Sequence, residues 1–425
     1  MKKSNKKRKK KIENLGIGLA ILFMIIMVTL YIGVISKEVE NNAESDALFS
    51  EDTADYTRDV FVRSGEDLVD SQMITPITDY FEVSFNALAN LESTDITSLF
   101  TDNGNAQINQ AALDYLITLR SNQSNDLHIT NYVCGLTIKD VSQENGLIKV
   151  TLDEDQTVNF AFTSDIDSSS SGIEHVFYLQ KTDQGYVLNA HTKVEDAFLL
   201  VEDIAPNYSD SASMVSDLLS KTSGTVSTLA DEKSSFNNGE TNNTDVAVDH
   251  PYDADAALAY ADTWVDPVNV VRNDSVFGVY DEHGGNCNNY ISQCINAGGI
   301  PMDTIGDQWK WYGDSLNTYQ SASGRSASWT GVSQFFTYAS ENTGYGLVAV
   351  VDDNVFSGSP GDILQYGSNG EWVHSVIITQ VIKDDQGNMV DYLINSNTTD
   401  RIDYPASAYG YVDFHLIKIL GWNEG

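Results

Sequence analysis

The chain has 425 residues, with 61 Asp and Glu against 24 Lys and Arg, a formal net charge of −37, and 41% hydrophobic residues. That length allows two or three domains with sizeable cores, and the hydrophobic fraction excludes a disordered chain. So acidic a surface excludes nucleic-acid binding, because phosphates demand the opposite sign.

Residues 1–14 read as a basic tail, in which Lys2, Lys3, Lys6, Lys7, Arg8, Lys9, Lys10 and Lys11 crowd together. Residues 15–36 predict a single N-terminal transmembrane helix. Leu15 to Ile35 carries no charge, and about 21 residues at ~1.5 Å each span roughly 30 Å, a bilayer core. The basic flank predicts a cytoplasmic N-terminus and places everything after Lys37 outside, a single-pass arrangement at the cell membrane. Beyond the first 13 residues 16 basic side chains face 60 acidic ones, an excess that keeps this part soluble.

Residues 37–74 are acidic and without sustained period, and read as a linker. Residues 75–202 tighten into a pattern. Thr75–Leu91 predicts a helix with Thr75 as its N-cap and Pro76 at its first position, and Ala111–Leu119 predicts a second. Alternating runs at 128–138, 147–152, 156–162, 174–181 and 186–191 then predict strands. Helices followed by an antiparallel sheet give an α+β middle domain of the cystatin/NTF2-like kind. Residues 203–250, rich in Ser, Thr, Asn and Asp, read as a polar linker with one short helix near 214–219.

The remaining residues, 251–425, hold the chemistry. In Gly284-Gly285-Asn286-Cys287 two glycines end a turn and a helix begins with a cysteine in its first turn. A helix N-terminus offers unpaired N–H groups and a positive dipole end, which favour a thiolate and an adjacent oxyanion. Ile291, Cys294 and Ile295 follow at i+4, i+7 and i+8, a stripe that packs the helix on a core. The plainer alternative is a buried cysteine pair in an ordinary helix. Cys134, Cys287 and Cys294 cannot make a disulfide framework, since the last two lie two turns apart on one helix.

A thiol nucleophile needs a base, and histidine titrates near neutrality. His374 opens the strand 373–380, from which a side chain can point at a helix N-terminus; His415 sits in an alternating strand and is the second choice. There is no HExxH, no Gly-x-Ser-x-Gly, no phosphate loop and no EF-hand, and the histidines are scattered. No cofactor and no metal are therefore expected.

The series Tyr252–Ala261, Ser292-Gln293-Cys294, Ala297–Met302, Ser326–Trp329, Pro360–Ile363 and His374–Ile377 resembles the putative amidase domain of Gram-positive bacteria. That family is a papain-like group related to the NlpC/P60 and CHAP cell-wall enzymes. The resemblance implies a papain-like C-terminal domain, a cysteine amidase or peptidase activity, and peptidoglycan or a cell-wall peptide as substrate. It also implies a polar group to orient the imidazole. Where family members carry a His-Thr-x-Asp-Arg-like segment this chain reads Asn395-Ser396-Asn397-Thr398-Thr399-Asp400-Arg401, so Asn397 takes that role, with Asn395 on the same strand face. The expected site is Cys287, His374 and Asn397. The rival reading is a catalytically silent papain-like binding module.

Overall fold

The computed structural model describes residues 57–240, 246–305, 308–311, 325–351, 353–368, 371–410 and 413–425. Strand β1 (Arg58–Ser64) falls inside the expected acidic linker and pairs in parallel with β2 (Ile129–Glu144). Helix α1 (Ser71–Asn90) begins before the expected Thr75, because the Asp70 side chain accepts the Gln72 N–H and caps it there. Pro76 consequently lies inside the helix. Helix α2 (Asn103–Ser121) is capped in the same way by Asp102. Strands β2, β3 (Leu147–Phe160), β4 (Ser168–Thr182) and β5 (Gly185–Lys193) form an antiparallel meander, two of the expected runs being one strand in β3.

After the short helix α3 (Asp196–Ile204) comes a departure from expectation. Within 203–250, read as a polar linker, the structure has the 27-residue helix α4 (Ser211–Asn237), started by the Asp210 cap on Ser213. Met214, Leu218 and Thr222 form its buried row, spaced at i, i+4 and i+8. Met214 and Leu218 pack on Tyr115, Leu119, Phe198 and Val201 of α2 and α3.

The C-terminal half adds β6 (His250–Pro251), α5 (Ala254–Thr263), α6 (Cys287–Ala297), α7 (Ala327–Thr330), α8 (Val332–Glu341) and β7 (Gly346–Val350). These are followed by β8 (Ile363–Ser368), β9 (Glu371–Lys383), β10 (Met389–Ser396), β11 (Asp400–Pro405) and β12 (Asp413–Asn423). One sheet runs β1-β2-β3-β4-β11-β10-β9-β8-β12-β6, with β5 on β4 and β7 on β12. Its two halves join where Ser169, Ser170 and Ser171 pair with Ile402, Arg401 and Asp400. Ser168 to Ser171 are buried, small enough for close approach. Their hydroxyls find partners in the Asp403 carbonyl, Thr157, the Arg401 guanidinium and the Asp266 carbonyl.

Strand alternation gives β8, β9 and β12 two working faces. Ile363, Ile377, Ile417 and Ile419 face a core shared with Ile291, Cys294 and Ile295 of α6, whereas Leu364, Tyr366, Val376, Ile378 and Leu416 belong to the core on the other face.

Two expectations are corrected here. Instead of separate cystatin/NTF2-like and papain-like units, the α+β chain builds one large mixed sheet through the β4–β11 seam. The single-pass membrane arrangement, with its cytoplasmic N-terminus and extracellular domains, is set aside as well: among the described residues no helix is long and apolar enough to cross a membrane. Helix α4 has the length, but Asp217, Lys221, Asp231, Glu232 and Lys233 interrupt it. The expected span, residues 15–36, lies outside the described residues.

If α4 belongs to the core, Leu218→Ala or Met214→Ala should each lower stability by about 2–5 kcal/mol in urea unfolding. A flexible tether would show no loss.

Candidate active site

Gly284 and Gly285 turn the chain at φ +98° and +100°, the left-handed region that favours glycine, and deliver Asn286 as the N-cap of α6. A Cβ on Gly285 would also stand 3.5 Å from the Thr398 hydroxyl. Cys287, the first residue of the helix, is 5% exposed, while Cys294 and Cys134 are fully buried. Burial pushes the Cys287 thiol above its ordinary value, opposed by the backbone N–H groups of Ser375, Asn288 and Cys287 itself. Dehydration thus outweighs the pull of the helix N-terminus, and the expected thiolate is replaced by a resting thiol.

His374 lies on β9, and the Ser375 N–H that faces the sulfur belongs to the peptide bond directly after it. Its ring turns toward Tyr366 and Tyr409, with centroids 6.4 and 5.8 Å away. Burial, helped by the charge of Arg401, lowers its pKa to about 3, so the imidazole is neutral at physiological pH. Among the described residues no hydrogen bond joins Cys287 to His374 or His374 to Asn397. The expected orienting role of Asn397 is corrected on that ground. Its Oδ1 accepts from Asn286 Nδ2 at 3.0 Å and its Nδ2 donates to the Trp264 carbonyl, so it steadies the helix cap. Asn395 is likewise engaged elsewhere, donating to Asp262 and accepting the Asp403 N–H.

Several residues that sequence reasoning passed over build the surroundings. The Asn286 N–H donates to Thr398 Oγ1 at 2.5 Å, and Asn286 Oδ1 accepts from the Tyr280 N–H and from Asn289 Nδ2. Arg272 makes paired hydrogen bonds to Asp281, just before the glycine turn, and to Asp400 at the start of β11, all between 2.7 and 2.9 Å. Burial pushes Asp400 up to about 6, opposed by Arg272. A polar row then crosses the sheet face beneath α6. Asn288 Oδ1 accepts from Ser375 Oγ, Ser375 Oγ accepts from Gln365 Nε2, and Gln365 Oε1 accepts from His415 Nε2. His415, stacked on Trp372 and Phe336, has its pKa lowered to about 4 by burial.

Trp309, Trp311 and Trp329 are core residues here: the indole N–H groups of Trp309 and Trp329 donate to Ser292 and Asn289, locking α6 from its flank. Asp362 ties its turn by accepting the N–H groups of Ser359 and Ile419. Among the described residues no cluster of three or more His, Cys, Asp or Glu side chains could hold a metal ion.

Cys287 thus opens α6, and His374 lies on the neighbouring strand β9 with its ring on the opposite face of the sheet. Residues 251–417 match the family model described as the putative amidase domain. The chain is also 32% identical over 180 residues to the uncharacterized protein YhbB of Bacillus subtilis (strain 168), a match covering 39% of this chain and 50% of that protein. The chain therefore spans about half the length of that curated relative. No solved structure matches it.

Two outcomes follow from the geometry. Alkylation by iodoacetamide should label Cys287 ahead of Cys134 and Cys294, slowly at pH 7 and with a rate still rising above pH 9; a rate already at its plateau at neutral pH would show a thiolate instead. Arg272→Met should cost about 3–5 kcal/mol in denaturant unfolding, because it leaves Asp400 buried without its counter-charge.

Proposed function

We propose that residues 251–417 hydrolyse amide bonds through Cys287, and that their substrates are peptide or amide bonds of cell-wall peptidoglycan. The reading is carried by the place of Cys287 at the first position of α6, where the backbone N–H groups of Ser375, Asn288 and Cys287 pull the thiol pKa down against burial. Donors fixed in that way can hold the oxyanion of a tetrahedral intermediate formed on the sulfur. The substrate class rests on the family resemblance.

In this mechanism His374 must leave the Tyr366 and Tyr409 side of β9 for the face that carries the sulfur, and there takes the thiol proton as Cys287 attacks the carbonyl carbon. The C–N bond breaks as His374 returns the proton to the departing amine, leaving a thioester. Water then adds, the C–S bond breaks, and the products are a carboxylic acid and the free thiol. In its resting place burial holds His374 neutral down to about pH 3, which leaves it a weak base until the move toward the sulfur rehydrates it. Asn397 serves by holding the Asn286 cap, and so the direction of the helix that carries the nucleophile.

A second reading, a silent binding module, is favoured by the protonated thiol and by the absence of a hydrogen bond from Cys287 to His374. Amine release from purified Gram-positive peptidoglycan decides between the two. Wild type should release amines, Cys287→Ala should fall to background, and His374→Ala should lose on the order of 10²-fold or more. Asn397→Ala should cost less, and the acid limb of kcat/KM should lie near pH 3 rather than near 6.5. Equal amine release by wild type and Cys287→Ala would sink the hydrolase reading.

A further inference from the structure

A second site lies at the seam of the sheet, apart from the residues around Cys287. A cavity of about 60 Å³ is lined by α1, α2, β2, β3, β4, β5 and β11, with Arg120, Glu154, His175, Lys193, Glu195 and Arg401 in its wall. Its charges do not balance.

Arg120 is 5% exposed and donates only to uncharged groups, the Ala408 carbonyl and the Tyr404 hydroxyl. Among the described residues no carboxylate lies within ion-pair distance of it. Arg401 is 4% exposed; its Nη1 donates to Ser170 and its Nη2 to Asp196, but its Nε has no partner. The two meet at Tyr404, whose hydroxyl accepts from Arg120 and whose ring lies under the Arg401 guanidinium. Lys193 is matched by Glu195 at 3.4 Å.

Glu154 does not supply the missing charge, as the hydrogen-bond directions show. Asn109 Nδ2 donates to the carbonyls of Asn105 and His191, so Asn109 Oδ1 accepts from Tyr80 and from His191 Nδ1. His191 Nε2 then accepts from His175 Nδ1 at 2.9 Å. The 2.8 Å contact between His175 Nε2 and Glu154 requires one shared proton, and the pair is neutral whichever group holds it. One buried guanidinium is thus left without an anion and a second with an idle donor, a strongly unfavourable arrangement if the cavity holds nothing charged.

We propose that this cavity binds a small monocarboxylate, whose oxygens take the free donors of Arg120 and Arg401. One water needs about 10–15 Å³ of space of this kind, so the cavity has room for a ligand of a few heavy atoms, such as acetate. A planar carboxylate fits guanidinium donors, and a second negative charge would meet Glu195. Arg401 also acts on His374, so a bound carboxylate offsets part of that influence and links the cavity to the candidate active site.

The test is titration of the purified full chain, in carboxylate-free buffer, with ¹³C-acetate by NMR and calorimetry. Wild type should bind acetate saturably at one site. Arg120→Met, which keeps bulk and removes charge, should weaken binding roughly tenfold or more. Ser84→Leu, which fills the cavity from α1, should abolish binding while circular dichroism shows a retained fold. No saturable binding to wild type would mean that the cavity holds water only and would overturn the proposal. So would equal affinity in both variants, which places acetate elsewhere, or inorganic phosphate binding as tightly as acetate.

Discussion

The buried guanidinium of Arg272 is the contact on which the candidate site depends. Its donors are divided between Asp281, on the loop entering the nucleophile helix, and Asp400, on the strand that enters the seam. Both carboxylates come from segments with little apolar side chain of their own, so the ion pairs do what packing does elsewhere. A charge this deep is tolerable only when fully paired, which makes its geometry exacting. The Thr398 and Asn397 contacts to the helix cap fall within that clamp, on a turn where Thr398 and Thr399 take positive φ of 67° and 55°. Strain of this kind persists only where the surroundings hold it in place.

The second constraint is the two-residue period of β9. It sends Ser375 and Ile377 toward α6 and His374 and Val376 toward the opposite core. The sulfur consequently meets the peptide after the histidine, while the imidazole lies among tyrosines that dehydrate it. Low polarity then acts on both partners in opposite senses, raising the thiol and lowering the imidazole. The resting site stores neutral groups rather than an ion pair. The row Asn288, Ser375, Gln365 and His415 occupies the face that the sequence left to hydrophobic residues, and it is stable there because each member has a partner.

The seam shows how the two halves of the chain act on each other. A run of four serines would read as a loop in isolation, yet in β4 it accepts β11 as a neighbour and gives Arg401 a hydrogen bond. Arg401 in turn reaches the cavity on one side and, through Tyr409, the surroundings of His374 on the other.

Much was legible in the amino-acid sequence because it is written in short-range terms. The glycine turn before Cys287 and the helix it starts follow from local backbone preference and a four-residue apolar spacing, and the meander of 129–193 follows from alternation. The putative amidase domain was legible from a set of ordered motifs, and the family match covers 251–417. What tertiary structure alone decided was every relation that depends on which face meets which. Helix α4 has too few apolar residues to announce itself and exists through its contacts with α2 and α3. Asn397 was assigned to the imidazole by chain position, but strand register and the turn after β10 delivered it to the helix cap. Charge state followed the same logic: a sequence shows a cysteine at a helix start, and only the packed surroundings show that the dehydration there exceeds the dipole.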